Sequence, residues 1–125
     1  MAEIVTTPAM NVCWTAYSGD RNQEMVYLQD GNGDPWDITG AVLSAQARAS
    51  STDEAVALDA ICTVVDGPAG TATVEWDGDD IAFLLDGRAS WEGVWDLQIL
   101  EAGETRPITL VAGRFKAILD VTRSP

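Results

Sequence analysis

Apolar and polar residues alternate along most of this chain with a period of two, which is typical of β-strands that bury one face. In the segment 41–48, Leu43, Ala45 and Ala47 share one face, while polar side chains occupy the other. Similar alternation or a short apolar run predicts seven strands. They span residues 10–17, 23–29, 41–48, 58–65, 71–76, 94–100 and 106–121.

Three clusters of glycine, proline and acidic residues separate these strands. They lie at 30–35, 66–70 and 101–104 and are built from residue types that favour tight turns. Consecutive strands are therefore expected to pair as antiparallel hairpins. In the last strand the apolar phase changes across Gly113, which predicts a β-bulge at that residue.

One segment, 79–85, has helical spacing instead, because Ile81, Leu84 and Leu85 follow one another at i, i+3 and i+4. Asp79 is its predicted N-cap. About seven strands and one short helical turn predict an all-β fold, an antiparallel immunoglobulin-like β-sandwich over residues 12–125.

Residues 1–11 precede the first long strand and are predicted to form an N-terminal leader or arm. The leader is apolar, and Pro8 opposes helix formation in it. Ile4, Val5 and Pro8 are candidates for contact with a neighbouring protein, and a frayed terminus is the alternative.

The length and net charge of the chain limit its number of domains and the kinds of partner it can bind. The 125 residues suffice for one domain, and Lys+Arg 7 against Asp+Glu 20 gives a net charge of −13. A field of this sign repels phosphate backbones and anionic lipid headgroups, so we expect neither nucleic acid nor membrane as a partner.

Catalytic and metal chemistry find little support in the composition. The chain has no histidine, which removes the commonest general base and transition-metal ligand. No nucleophile lies beside a base and no glycine-rich phosphate loop occurs, so we predict no enzymatic activity, cofactor or metal. Cys13 and Cys62 are far apart in sequence and are interpreted as buried free thiols, although a disulfide is geometrically possible.

Two acidic clusters resemble cation sites only superficially. Residues 30–34 begin as a calcium loop of the form D-x-N-x-D, but Pro35 stands where a glycine is required and Ala41 where a glutamate is required. We interpret this segment as a polar hairpin loop. The acidic residues 77–80 are explained by the helix N-terminus, which favours carboxylates.

The five tryptophans suggest a contact surface. Trp76 and Trp95 lie on the inward faces of their strands and are predicted core residues. Trp36 and Trp91 lie beside turns and are predicted to contact a partner. An alternative function is a calcium-assisted carbohydrate-binding module that uses Trp36, Trp91 and the loop 30–34.

A set of short motifs occurs in one order along the chain. They are 18–20 (SGD), 33–42 (GDPWDITGAV), 95–99 (WDLQI), 113–115 (GRF) and 120–123 (DVTR). In this order they resemble the small immunoglobulin-like domain of tailed-bacteriophage virion proteins, similar to the N-terminal domain of upper baseplate and fibre-attachment proteins. The resemblance covers residues 12–123.

This resemblance implies a virion structural protein, made in the host cytoplasm, that acts as a tail or baseplate adaptor module. Its partners would be other virion proteins of the tail, baseplate or capsid, with a homo-oligomer within the particle as a further possibility. A capsid decoration protein is the alternative within the same class.

Overall fold

The computed structural model of the chain describes residues 3–6, 10–30 and 32–120. Within these ranges, ten strands and one helix surround a single hydrophobic core. The strands are β1 (Glu3–Thr6), β2 (Met10–Asn11), β3 (Trp14–Tyr17), β4 (Asn22–Leu28), β5 (Val42–Arg48), β6 (Leu58–Asp59), β7 (Ile61–Asp66), β8 (Thr71–Trp76), β9 (Ser90–Leu100) and β10 (Ile108–Ile118), and helix α1 (Gly78–Leu85) lies between β8 and β9.

The strands form two sheets. The four-stranded sheet has the order β1-β4-β8-β7, and the six-stranded sheet has the order β2-β10-β9-β5-β6, with β3 also paired to β10. Three pairs are parallel, namely β1 with β4 and both β2 and β3 with β10. The remaining pairs between named strands are antiparallel.

The predicted all-β sandwich is confirmed, and each of the seven predicted segments contains at least one strand. Two of these segments are interrupted. The segment 10–17 leaves strand geometry at Val12 and Cys13, and the segment 58–65 leaves it at Ala60, where the chain passes from the six-stranded to the four-stranded sheet. The predicted leader, residues 1–11, contains β1 and β2, which pair within the chain.

The N-cap of the helix lies two residues earlier than the sequence suggests, so the predicted N-cap at Asp79 is wrong. Asp77 is the N-cap: its backbone is extended, and its Oδ1 accepts a hydrogen bond from the Asp79 amide at 2.8 Å. The helix ends at Asp86, a left-handed C-cap with φ of 49°. No helix within the described ranges is long and apolar enough to cross a lipid bilayer.

The predicted bulge at Gly113 is also wrong. The register of β10 against β9 shifts between Thr109 and Val111, whereas Gly113 pairs regularly with Trp95. The physical reason is that Leu110 and Val111 are adjacent and both buried. A bulge at Leu110 lets two consecutive side chains turn away from water, and the alternation then continues undisturbed to Ala117.

An aromatic cluster occupies the core between the sheets. Trp76 of the four-stranded sheet packs edge-to-face against Trp14 (ring centroids 5.8 Å apart) and Trp95 (6.1 Å), which belong to the six-stranded sheet. Trp14 and Trp95 also meet edge-to-face at 5.3 Å, and Phe115 lies 4.8 Å from Trp76. The cluster therefore joins the two sheets through side chains that are nearly or fully buried.

Gly113 makes room for a polar contact between this cluster and the neighbouring Val12 segment. The indole Nε1 of Trp95 donates a hydrogen bond to the Val12 carbonyl oxygen at 2.9 Å. A Cβ atom at position 113 would overlap that carbonyl. Glycine is thus required here by close approach of the backbone and not by a positive φ.

We expect Gly113→Ala to lower the free energy of unfolding by about 2 to 3 kcal/mol, because the added methyl forces the Val12 segment away from Trp95. Gly103→Ala is the matched control, since position 103 has open space but a φ of 81°, which should cost about 1 kcal/mol. Urea unfolding of both variants measures the difference. Equal losses, or no loss at position 113, would show that the close approach is unimportant.

Candidate functional site

Trp36 lies half-buried at the end of the sandwich that carries the 101–104 turn. Its indole Nε1 donates a hydrogen bond to Glu101 Oε2 at 3.3 Å, and its backbone amide donates to the Leu28 carbonyl at 3.0 Å. The ring packs against the edge of the core. Its position is therefore fixed by contacts within the chain.

Trp91 lies near the start of β9 and is also half-buried. Its ring meets Phe115 at 6.3 Å with an interplanar angle of 65°. From Trp91 to Glu101, the hydrogen-bond partner of Trp36, the chain is extended for most of ten residues, a span of about 30 Å. The two predicted contact tryptophans therefore lie at opposite ends of the sandwich and do not form one surface.

The other predicted contact residues belong to the N-terminal segment. The backbone of Ile4 pairs with Val26, and that of Val5 with Tyr27, so this stretch forms the edge strand β1. Pro8 lies outside the described residues. A contact of these three residues with a neighbouring protein stays a prediction.

The acidic loop uses its first carboxylate to hold its own turn. Asp30 Oδ1 accepts hydrogen bonds from the amides of Asn32 (2.8 Å) and Asp34 (3.1 Å), and the Asp30 amide donates to the Asp34 carbonyl at 2.9 Å. Across residues 3–6, 10–30 and 32–120, no group of three or more acidic, cysteine or histidine residues is arranged to hold a metal ion.

The two cysteines are free and differ in environment. Cys62 is half-buried, and burial raises the pKa of its thiol to about 11, so it stays protonated at neutral pH. Cys13 is exposed, and the prediction that both thiols are buried is wrong for it. The reason is the alternation itself: Val12, Trp14 and Ala16 face the core, so Cys13 falls on the outward face.

A polar groove of about 780 Å³ crosses the outer face of the six-stranded sheet. Arg48 is held in it by hydrogen bonds to Gln46 Oε1 and to the carbonyls of Asp53 and Glu54. Burial raises the pKa of Asp96, and the Arg48 charge offsets part of that rise. Ser44, Gln98, Arg114 and Cys13 also line the groove. This lining can form hydrogen bonds and ion pairs with a ligand.

Several large apolar side chains are exposed on the surface, and sequence reasoning missed them. Phe83 on α1 is 88% exposed, and Val42, Val65 and Ile61 are 63%, 58% and 57% exposed. The helical spacing indicates that Phe83 is exposed, because Ile81, Leu84 and Leu85 share one face of the helix and position 83 lies on another. Only tryptophans were considered from the sequence as exposed aromatic contacts, and Phe83 was therefore not identified.

Two carboxylates meet where the β3–β4 turn approaches the end of β10. Ser18 Oγ accepts a hydrogen bond from the Asp120 amide at 3.1 Å, and the position of a Cβ on Gly19 is filled by the Asp120 side chain. Desolvation, the Asp120 charge and a hydrogen bond between the two side chains raise the pKa of Asp20 above its ordinary value of 3.8. The ionised form of Asp20 is thus disfavoured in the folded state.

We expect Asp20→Asn to raise the melting temperature at about pH 7, because the variant removes a carboxylate whose ionised form is disfavoured in the folded state, and the gain to shrink at about pH 4. A raised folded-state pKa makes the wild type more stable as pH falls through that pKa towards 3.8. Glu104→Gln removes the same charge from an exposed turn and should show a smaller gain at pH 7. A lower melting temperature for Asp20→Asn at pH 7 would contradict this reading.

No protein-family model matches this chain, and no curated protein matches its sequence. Two solved structures that align with most of its length are the following. A cysteine protease inhibitor of Entamoeba histolytica aligns over 95% of this chain and 96% of its own, with 8% identity and a TM-score of 0.41. The bradyzoite-specific antigen BSR4 of Toxoplasma gondii aligns over 94% of this chain and 46% of its own, with 10% identity and a TM-score of 0.35.

Proposed function

We propose that this chain is a non-enzymatic structural protein of a tailed-bacteriophage virion, made in the host cytoplasm. It would act as a tail or baseplate adaptor module through protein–protein contacts. The order of motifs described above suggests the class of particle. The observation that carries the contact function is the exposed edge strand β7.

Strand β7 ends the four-stranded sheet and, within the described part of the chain, pairs only with β8. Ile61, Thr63 and Val65 alternate on its exposed side, and the first charged residue of the strand is Asp66. Soluble proteins usually protect such edges with lysine, proline or a covering element. An uncovered edge of high β-propensity can add a strand or an apolar surface from a partner.

The strand order supports an immunoglobulin-like module. The order β4-β8-β7 in one sheet and β10-β9-β5 in the other, with β3 beside β10, resembles that of a seven-stranded immunoglobulin-like domain. The chain adds β1, β2 and β6, and β1 runs parallel to β4. Domains of this architecture serve many functions, so the site and not the fold must carry the argument.

The chemistry of the surface supports a non-enzymatic role. Without histidine, acid–base chemistry near neutral pH would depend on carboxylates with raised pKa values. The pKa values of Asp20, Glu24 and Asp96 are raised, and desolvation is the largest cause for each, so a structural cause accounts for all three.

A carbohydrate-binding module has less support. Its two tryptophans lie at opposite ends of the sandwich, and Asp30 already accepts two amide hydrogen bonds in its own loop. A capsid decoration protein would use the same kind of contact surface as a tail adaptor. Location within the particle distinguishes these two.

The test is incorporation into particles of the phage that encodes this chain, with the gene deleted and the protein supplied in trans. We expect wild-type protein in fixed copy number at the tail, detected by mass spectrometry and cryo-electron microscopy. Ile61→Asp should reduce incorporation at least about tenfold by placing a charge on the β7 surface. Val42→Asp, at an equally exposed position of the other sheet, is the matched control.

Both variants must melt close to the wild-type temperature for the comparison to count. Protein located on the head would favour the capsid decoration role. Absence of the protein from purified particles, or equal loading of both variants, would overturn the proposal in its present form.

A further inference from the structure

Phe83 contributes little to the fold that contains it. Its neighbours Ile81 and Leu85 are completely buried against the core, whereas Phe83 is 88% exposed. Burying a phenylalanine side chain is worth about 1.5 to 3 kcal/mol, and almost none of this is gained within the chain. An aromatic ring so exposed on a regular helix is available to another molecule.

The ring of Phe83 lines a groove together with other apolar side chains. A groove of about 690 Å³, here called the helix groove, runs between α1 and residues 56–59. Phe83 forms one wall, and Val56, 38% exposed, lies on the other. The half-buried Leu84 adds to the same surface. These three side chains supply the apolar surface of the groove, beside the charged residues of the same lining.

Carboxylates surround this apolar surface. Asp80 precedes Phe83 by one helical turn, Asp86 follows it by three residues, and Asp59 lies across the groove. The one cation of the groove, Arg88, donates its guanidinium hydrogen bonds to the carbonyls of Leu84 (2.7 Å) and Leu85 (2.9 Å). The rim of the helix groove is therefore acidic.

We infer that the helix groove binds a protein segment that carries an apolar side chain flanked by lysine or arginine. The apolar side chain would pack between Phe83 and Val56, and the flanking cations would meet the acidic rim. A second copy of this chain is a poor occupant, because its net charge of −13 repels the same rim. This inference deepens the proposed function by giving the chemistry of one partner.

The probe is a labelled hexapeptide, Lys-Lys-Leu-Phe-Lys-Lys, added to the full chain and followed by fluorescence anisotropy and by amide chemical shifts. We expect saturable binding with the largest shifts confined to residues 56–59 and 80–88. A peptide with serine in place of leucine and phenylalanine should bind at least about tenfold more weakly. A peptide with glutamate in place of lysine should not bind.

Variants of the protein separate the groove from general attraction to an acidic surface. Phe83→Ala should weaken binding at least about tenfold, while Val42→Ala, an exposed apolar position on β5, should not change it. Asp80→Asn with Asp86→Asn should weaken binding about three- to tenfold and reduce its salt dependence. Asp34→Asn with Glu104→Gln removes two charges from the opposite end of the sandwich and serves as the charge-matched control.

Shifts spread over both sheets, or equal binding by Phe83→Ala and wild type, would overturn the inference. The peptide assay needs no particles, so its outcome is independent of incorporation. A chain that loads into particles but fails to bind the peptide keeps the proposed function and loses the helix groove. A chain that binds the peptide but is absent from particles keeps the helix groove and loses the proposed function.

Discussion

The edge-to-face packing of Trp76 against Trp14 and Trp95 joins the two sheets, and much of the surrounding structure depends on it. Trp95 can lie there because its indole N–H reaches the Val12 carbonyl, and that carbonyl needs a glycine at position 113. The Val12 amide donates a hydrogen bond to the Ala112 carbonyl at 3.0 Å, so this segment stays beside β10. Val12 faces the core there, and the next residue, Cys13, lies on the outer face and lines the polar groove.

The strands were predictable where one face alone is buried, because a period of two in the sequence then reflects burial directly. The position of the bulge was not, because the sequence alone does not show that the adjacent Leu110 and Val111 are both buried where β10 pairs with β9. Asp77 and Asp79 are both chemically capable N-caps, and the choice between them depends on where β8 ends. Local chemistry predicted the kind of element and tertiary contacts set its limits.

The contact residues were harder to predict than the fold. Trp36 and Trp91 were predicted to contact a partner because of their residue type and their place beside turns. Both rings pack against the core, Trp36 with a hydrogen bond to Glu101 and Trp91 beside Phe115. The exposure of Phe83 could be predicted from the helical spacing, which places it on a different face of α1 from Ile81 and Leu85. The acidic rim around it depends on Asp59, which only the folded chain brings to α1. Sequence alone cannot assemble a surface from segments so far apart.

Trp76 stabilises the fold, whereas the exposed ring of Phe83 contributes little to it. Urea unfolding of one variant at each position tests this difference most directly. Trp76→Ala should lower the free energy of unfolding by about 3 to 5 kcal/mol, because it empties a fully buried site between the sheets. Phe83→Ala should change it by less than about 0.5 kcal/mol. If Phe83→Ala destabilises the protein as much as Trp76→Ala does, Phe83 belongs to the fold and the account is wrong.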